Sequence, residues 1–303
     1  MAGSHALRNT RGVSFLTLIL LIGPALIIFT VFVIVPIFQA AAYSVFRWDG
    51  MQPLVNFRGL RNFELILSDP IFTNAILHNV YIVIISILIE IPLALACALA
   101  VTKSNFKLAV VFRTIFFLPY VLSEVIAGVL WQFIYHPDYG LIRAISETFF
   151  PTAQAPILLG DPNTVLLAIM GVIIWKYFGL HMTILIAGLQ DIPLELQEAA
   201  KIDGCSGGQI FRNITLPLLR PTILLSVFFS VIGSLQIFDM VWAMGKGDPV
   251  NSAETMVTYL YKFGMLRQQI GYGAAVAVII FLVCLIFSVF YQRMLIREER
   301  SRS

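Results

Sequence analysis

Four ionisable side chains lie within long apolar stretches of the sequence: Glu90, Glu124, Lys176 and Asp239. If such a stretch crosses a membrane as a helix, a charge at its centre that faces lipid costs about 2.5–3.5 kcal/mol. These side chains must therefore face one another, the protein interior or a polar pathway. Glu124 and Lys176 each lie about 17 Å from the predicted outer end of their stretch, at 1.5 Å per residue. We therefore predict an intramembrane ion pair between Glu124 and Lys176.

Other residue types with chemical potential are too dispersed to form a site. The four histidines and three cysteines are far apart in the sequence and show neither a disulfide framework nor metal-ligand spacing. The sequence contains no motif that pairs a nucleophile with a base, as an enzyme would need. A phosphate-binding G-x4-G-K-[ST] loop is also missing, because Gly245–Lys246 lacks the upstream glycine. We expect no metal site, no cofactor and no catalysis on this chain.

The composition excludes an ordinary soluble fold. Of the 303 residues, 59% are hydrophobic and 12% are charged, against roughly 45–50% and about 25% in soluble domains. So few charges cannot cover a core with a polar surface. The net charge of +3 is too small to indicate a nucleic-acid partner. The chain is therefore predicted to use the lipid bilayer as its solvent.

Six stretches have the length of about 20 apolar residues that a membrane-spanning helix needs. We place them at residues 13–38, 75–101, 108–135, 164–189, 222–244 and 272–295. The fold class is thus all-α, a polytopic membrane protein with a six-helix domain over 13–295 and short terminal segments at 1–12 and 296–303. Lysine and arginine are denser in the loops on the side of both termini, which predicts that both termini are cytoplasmic and that the protein lies in the cell membrane.

The predicted cytoplasmic loop 191–221 has the signals of two short helices. Pro193 suits a first helical turn and Gly204 suits the end of a helix. Ser206 and Gln209 then have the spacing of a capping box, which begins a second helix. We expect Pro217 and Pro221 to end this second helix and to open the fifth span. From periodicity alone, this loop could equally be a simple connector that lies on the membrane surface.

A seven-residue match distinguishes these readings. Glu198-Ala199-Ala200, Gly204, Ile214 and Leu216-Pro217 fit EAA-x3-G-x9-I-x-LP without a gap. This motif resembles that of the permease subunits of binding-protein-dependent ABC importers. The segments 179–200, 135–142 and 233–239 are similar to carbohydrate-uptake permeases of the larger maltose type. Departures from the family pattern occur at Cys205, Gly207 and Gly208, and at 244–249, where they leave the contacts of that loop open.

The resemblance implies a type I ABC importer transmembrane domain and a mechanism. The two short helices dock in a cleft of a separate ATPase subunit, which binds ATP and magnesium, and this chain does not hydrolyse ATP. We expect Ala199 and Ala200 on the docking surface. The implied coupling residues are Glu198, Ala199, Ala200, Asp203, Gly204, Ile214, Leu216 and Pro217. The implied partners are a second permease, an ATPase dimer, an external solute-binding protein, a sugar substrate and membrane lipid.

In permeases of the maltose type, sugar contacts come from the fourth and fifth spans. Carried over to this sequence, the substrate pathway is implied at Gly179, His181, Gly233, Gln236 and Asp239. Gln236 and Asp239 are three residues apart, so they share a helix face that can line a cavity.

Two alternatives remain open from the sequence. The loop signature is shared with importers of glycerol phosphodiesters, sugar phosphates and polyamines, although an anionic substrate favours several basic residues at mid-depth and only Lys176 is available. An alternative of another class is an ion-coupled secondary transporter, with Glu90, Glu124 and Asp239 as proton carriers.

Overall fold

The apolar stretches form long helices, in the order that the sequence predicts. The structure is a computed structural model that describes residues 15–102, 106–149 and 156–302. Five unbroken helices are long and apolar enough to cross a membrane, namely α1 (Leu20–Tyr43), α3 (Pro70–Thr102), α7 (Val165–Gln190), α9 (Gly207–Gln236) and α12 (Ile270–Ile296), the last of which continues to Arg302. In the part of the chain that the structure describes, the only β-structure is one isolated bridge, Phe46–Phe57.

The remaining helices of the described chain are shorter. They are α2 (Arg61–Leu67), α4 (Phe106–Val121), α5 (Glu124–Ile134), α6 (Leu141–Phe149), α8 (Leu194–Ile202), α10 (Asp239–Gly245) and α11 (Met256–Tyr259). Turns of π-helix lie within α1, α3 and α9, at Thr30–Ile34, Ser86–Glu90 and Phe211–Thr215, and another extends α11 at Leu260–Met265. The all-α class is confirmed.

The third predicted span is not one helix. Helices α4 and α5 meet at an angle of 98°, across a break at residues 122 and 123. Pro119 lies within α4, one turn before the break, and its missing backbone N–H removes a hydrogen bond from the preceding turn. The six predicted spans are therefore five unbroken helices and one broken pair.

The fifth span also differs from its prediction of 222–244. It begins at Gly207 and ends at Gln236, where Ile237 is extended, and the short helix α10 follows. Pro217 and Pro221 do not end a helix. The π-helical turn Phe211–Thr215 directly precedes Pro217 and takes up the change of hydrogen-bond register there. The second short helix of the 191–221 loop is consequently the first part of the fifth span.

Helix α7 lies at the centre of the bundle. It packs against α3, α4 and α9, and more than half of its most apolar window is buried, whereas the window of α1 has no buried residue. Helix α1 contacts α12 at the periphery. The core divides into three apolar clusters, two of which include residues of α7. The central position of α7 places its polar side chains, unlike those of a peripheral span, inside the protein.

Candidate functional site: a polar cavity and a helical elbow

A cavity of about 350 Å³ lies between the middles of α3 and α7, the break between α4 and α5, and the end of α9. Carboxylate, hydroxyl, imidazole and amide groups line it together with aromatic rings. Its polar lining residues are Ser86, Glu90, Tyr120, Glu124, Tyr177, His181, Ser230, Ser234, Gln236 and Asp239. Such a mixture of donors, acceptors and ring faces is typical of a binding site for a small polar solute.

Glu90 and His181 form the buried end of this cavity. Glu90 closes the π-helical turn Ser86–Glu90 of α3 and is 1% exposed, while His181 is 2% exposed on α7. His181 Nε2 lies 3.3 Å from Glu90 Oε1. The pair lacks hydrogen-bond geometry, and within the described chain Glu90 Oε1 and His181 Nδ1 have no hydrogen-bond partner. Buried polar atoms are nearly always paired, so these two are exceptions at the buried end of the cavity.

The break after α9 forms another wall of the cavity. Gly233, Gln236 and Asp239 line it and are exposed at its edge, and a Cβ atom on Gly233 would meet no heavy atom within 4 Å. Two buried contacts hold this break. Asn79 Nδ2 donates to the Ser234 carbonyl at 2.6 Å, and Thr255 Oγ1 donates to the Ile237 carbonyl at 3.0 Å. The polar ends of α9 and α10 are thereby positioned against α3.

At one end of the bundle, α8 folds back on the start of α9 to form a helical elbow over residues 194–215. The Gly204 N–H donates to the Lys201 carbonyl at 3.1 Å, and the Cys205 N–H donates to the Ala200 carbonyl at 2.9 Å. This pair of bonds is a Schellman motif, which needs a left-handed residue, and Gly204 has φ +81°. The predicted capping box is present, with Ser206 and Gln209 each binding the other's backbone N–H. The predicted helix, turn and helix are confirmed.

The comparisons with known proteins decide the family. Residues 90–299 match the family described as "Binding-protein-dependent transport system inner membrane component". The chain belongs to this family. The matched region contains the elbow and every lining residue of the cavity except Ser86. Members are permease subunits of transport systems and are not enzymes, and the family places this permease in the inner membrane as a multi-pass protein. Membership also decides against the ion-coupled secondary transporter.

Individual relatives are similar in sequence to this chain over most of their length. The permease is 33% identical over 267 residues to the probable ABC transporter permease protein YurN of Bacillus subtilis (strain 168), which covers 88% of this chain and 91% of YurN. It is 32% identical over 277 residues to the diacetylchitobiose uptake system permease protein NgcF of Streptomyces coelicolor, covering 88% and 78%. A solved bacterial ABC transporter involved in the import of the acidic polysaccharide alginate contains a chain of similar fold, with TM-score 0.79, 25% identity and coverage of 93% and 95%.

The predicted pathway residues divide into two groups. His181, Gly233, Gln236 and Asp239 lie together at the cavity, whereas Gly179 does not line it. A Cβ atom on Gly179 would lie 1.9 Å from the Phe116 carbonyl oxygen. Gly179 is therefore a packing residue that lets α4 and α7 approach closely, and its expected place in the pathway is wrong.

The structure gives Lys176 and Glu124 separate hydrogen-bond partners, so the ion pair between them stays a prediction. Lys176 is 2% exposed, and its Nζ donates to the carbonyl oxygens of Pro119 at 3.4 Å, Tyr120 at 3.3 Å and Leu122. Glu124 instead accepts a hydrogen bond from the Tyr177 hydroxyl. The ammonium group thus binds the last carbonyls of α4, where the helix carries partial negative charge. This partner was not foreseeable, because it exists only where the third span breaks.

Several lining residues of the permease cavity were missed from the sequence. From the sequence, Glu90 is predicted only as a charge within a span and as a proton carrier in the secondary-transporter alternative, and the hydroxyl and aromatic groups are not predicted as site residues. A signal was available, because polar residues recur four apart on three helices, at Ser86 and Glu90, Tyr177 and His181, and Ser230 and Ser234. In an apolar helix this spacing marks one polar face.

The implied coupling residues occupy different surroundings in the elbow. Glu198, Ala199, Asp203 and Gly204 are exposed, as are Leu216 and Pro217, while Ile214 is half-buried. Ala200 was expected at the surface but is only 8% exposed, because α8 packs against the start of α9. Large apolar side chains are exposed beside this set, above all Ile202 at 87% and also Leu194. An exposed apolar patch with charged neighbours is typical of a protein contact surface.

Proposed function

We propose that this permease is one of two membrane subunits of an ATP-driven importer of oligosaccharides, with the elbow as its contact to the ATPase. One observation carries the proposal: α9 is a single helix that connects the elbow at Gly207 to the cavity at Gly233–Gln236. Its 30 residues extend about 45 Å at 1.5 Å per residue. A displacement of the elbow is therefore transmitted directly to the wall of the cavity.

The elbow is the surface that an ATPase subunit contacts. Glu198, Ala199 and Ile202 offer a carboxylate, a small residue and a large apolar group on one exposed helix. Asp203, Gly204, Ala200, Ile214, Leu216 and Pro217 shape or flank this surface. ATP and magnesium bind to the ATPase, and closure of its dimer moves the elbow between two packed states of the permease. This requires the elbow and both termini to be cytoplasmic, in agreement with the distribution of lysine and arginine.

The cavity is half of a translocation pathway. Gly233, Gln236 and Asp239 are exposed at its edge, so a second, similar permease can complete the wall. The family name supports an external solute-binding protein that delivers the solute, and the printed name of the relative NgcF supports a saccharide. Sugar hydroxyls can both donate to carboxylates and accept from amides, while Tyr120 and Phe238 supply ring faces.

A second candidate substrate is a polyamine. Three carboxylates, Glu90, Glu124 and Asp239, line the cavity beside aromatic rings, and this combination also suits ammonium groups. Uptake of saccharides and of polyamines by the same reconstituted importer separates the two candidates.

The proposal is tested with the tagged chain purified together with its partners from its own membrane. Gly204→Val places a β-branched residue at φ +81°, which valine adopts only with strain. We expect this variant to lose the bound ATPase and saccharide-stimulated ATP hydrolysis. The matched control is Gly208→Ala, because Gly208 is exposed and helical and its added Cβ meets nothing within 4 Å.

Normal uptake by Gly204→Val would refute the docking role of the elbow. Saccharide uptake by the purified chain without any ATPase would refute the proposed function as a whole.

A further inference from the structure

The cavity walls carry an unbalanced charge. Glu90, Glu124 and Asp239 bring three carboxylates to the lining, and the described lining residues include no lysine or arginine. The remaining polar lining consists of hydroxyls, the His181 imidazole and the Gln236 amide. Inside a cleft with low-dielectric walls, groups of one sign set the potential that a solute meets. This chain therefore contributes a field that favours positive charge and opposes negative charge.

One buried cation, Lys176, interacts electrostatically with Glu124 but does not line the cavity. Lys176 is absent from the lining, and its Nζ binds the carbonyl oxygens of Tyr120 at 3.3 Å, Pro119 at 3.4 Å and Leu122. Its donors are therefore directed at the end of α4. A solute anion in the cavity cannot use this ammonium as a hydrogen-bond partner without breaking the contacts that hold α4.

The buried end of the cavity also selects by hydrogen bonding. Glu90 is 1% exposed, lines the cavity and has an Oε1 atom without a hydrogen-bond partner. A carboxylate oxygen accepts hydrogen bonds and cannot donate them. A sugar hydroxyl or an ammonium group satisfies this atom, whereas a carboxylate, sulfate or phosphate brings further acceptors. The same end holds His181 Nδ1, which also lacks a hydrogen-bond partner within the described chain.

We propose that this cavity passes neutral or cationic saccharides and excludes saccharides that carry a carboxylate, sulfate or phosphate, with the lining carboxylates Glu90, Glu124 and Asp239 as the determinants. The inference rests on the proposed function and specifies the substrate class of the same cavity. The proposed charge preference distinguishes this permease from the alginate importer, which contains a chain of similar fold and imports an acidic polysaccharide. The shared fold does not carry the charge preference, which belongs to the side chains of the lining.

The test uses the whole importer in proteoliposomes with its binding protein. The probes are neutral disaccharides, the corresponding uronic acids, and de-N-acetylated chitobiose as a cationic probe. Each pair is compared at concentrations that saturate the binding protein, so that the uptake rates report on the permease. We expect each uronic acid to enter at least about tenfold more slowly than its neutral counterpart, equivalent to about 1.4 kcal/mol. The cationic probe should enter at a rate similar to that of the neutral ones.

The carboxylates are tested by isosteric amides. Glu90→Gln removes one of the three carboxylates of the lining. It should therefore reduce the ratio of neutral to acidic uptake from about tenfold to about threefold or less. The control is Glu64→Gln, which removes an exposed carboxylate of α2 that pairs with Arg61 outside the cavity. Asp239→Asn is a second test variant, because this exposed residue can be changed without disturbing buried packing.

Equal uptake of neutral and acidic probes by the wild-type importer would overturn the inference, and this result does not depend on how any variant folds. An unchanged ratio in both Glu90→Gln and Asp239→Asn would overturn the role of the carboxylates. Uptake of no saccharide of either kind would overturn the proposed function, and the inference with it.

Discussion

Replacing Lys176 by methionine tests how the broken third span is held together. Methionine keeps the apolar stem but removes the ammonium, which leaves the carbonyls of Pro119, Tyr120 and Leu122 without this donor. A hydrogen bond to a charged group contributes about 1.5–3 kcal/mol, and a cation at a helix C-terminus adds up to about 2 kcal/mol in a partly buried site. The cost of burying the ammonium is recovered in the variant. Because the recovered burial cost offsets part of the lost contacts, we expect the free energy of unfolding to fall by about 2–4 kcal/mol.

Glu124→Gln is the companion variant, because it separates the observed contacts from an ion pair. Glutamine still accepts a hydrogen bond from the Tyr177 hydroxyl, the partner of Glu124 in the structure. We therefore expect a loss below about 1 kcal/mol, the net contribution of an ordinary hydrogen bond. If Glu124 were instead the partner of Lys176, the variant would leave a buried charge unpaired and would cost about 3–5 kcal/mol.

The assay is thermal and denaturant unfolding of the purified importer in one detergent, with bound ATPase as a check of assembly. The reasoning predicts a clear loss of stability for Lys176→Met and little change for Glu124→Gln. Equal losses in the two variants would refute it, as would a Lys176→Met protein as stable as the wild type.

Two further variants follow from packing and from one polar contact. Gly179→Ala should lower the thermal midpoint by forcing α4 and α7 apart, at a cost of about 1–3 kcal/mol, since its Cβ would lie 1.9 Å from the Phe116 carbonyl oxygen; Gly233→Ala, in open space, is the matched control, and equal midpoints would contradict this packing. Tyr259→Phe should cost about 1.5–3 kcal/mol, because its hydroxyl binds Asp69 Oδ2 at 2.5 Å and burial, with the Asp69 contact, raises the pKa of Tyr259 and keeps it protonated. A wild-type unfolding midpoint for Tyr259→Phe at neutral pH would show that the contact to Asp69 contributes no stability.

The sequence predicts features that depend on local signals. The elbow was predictable because Gly204, Ser206 and Gln209 act within a few residues of one another, through backbone conformation and capping. The spans were predictable because the hydrocarbon thickness sets their length and composition. The packing role of Gly179 was not predictable, because it depends on how closely α4 approaches α7. The hydrogen bonds of Lys176 were not predictable, because they depend on where α4 ends. Those are properties of two helices in contact rather than of either sequence.

The two breaks in the spans have a common structural consequence. Helix α5 begins at Glu124 and α10 begins at Asp239, so each break is followed at once by a carboxylate that lines the cavity. The two helices then pack against each other closely, since a Cβ on Gly128 would lie 2.7 Å from the Ala243 Cβ, and Gln132 Nε2 donates to the Met244 carbonyl at 3.1 Å. An unbroken third or fifth span would carry these carboxylates past the cavity on a regular helix face. The breaks therefore account for both the polar lining and the paired helices behind it, and the extended residue Ile237 at the second break itself lines the cavity.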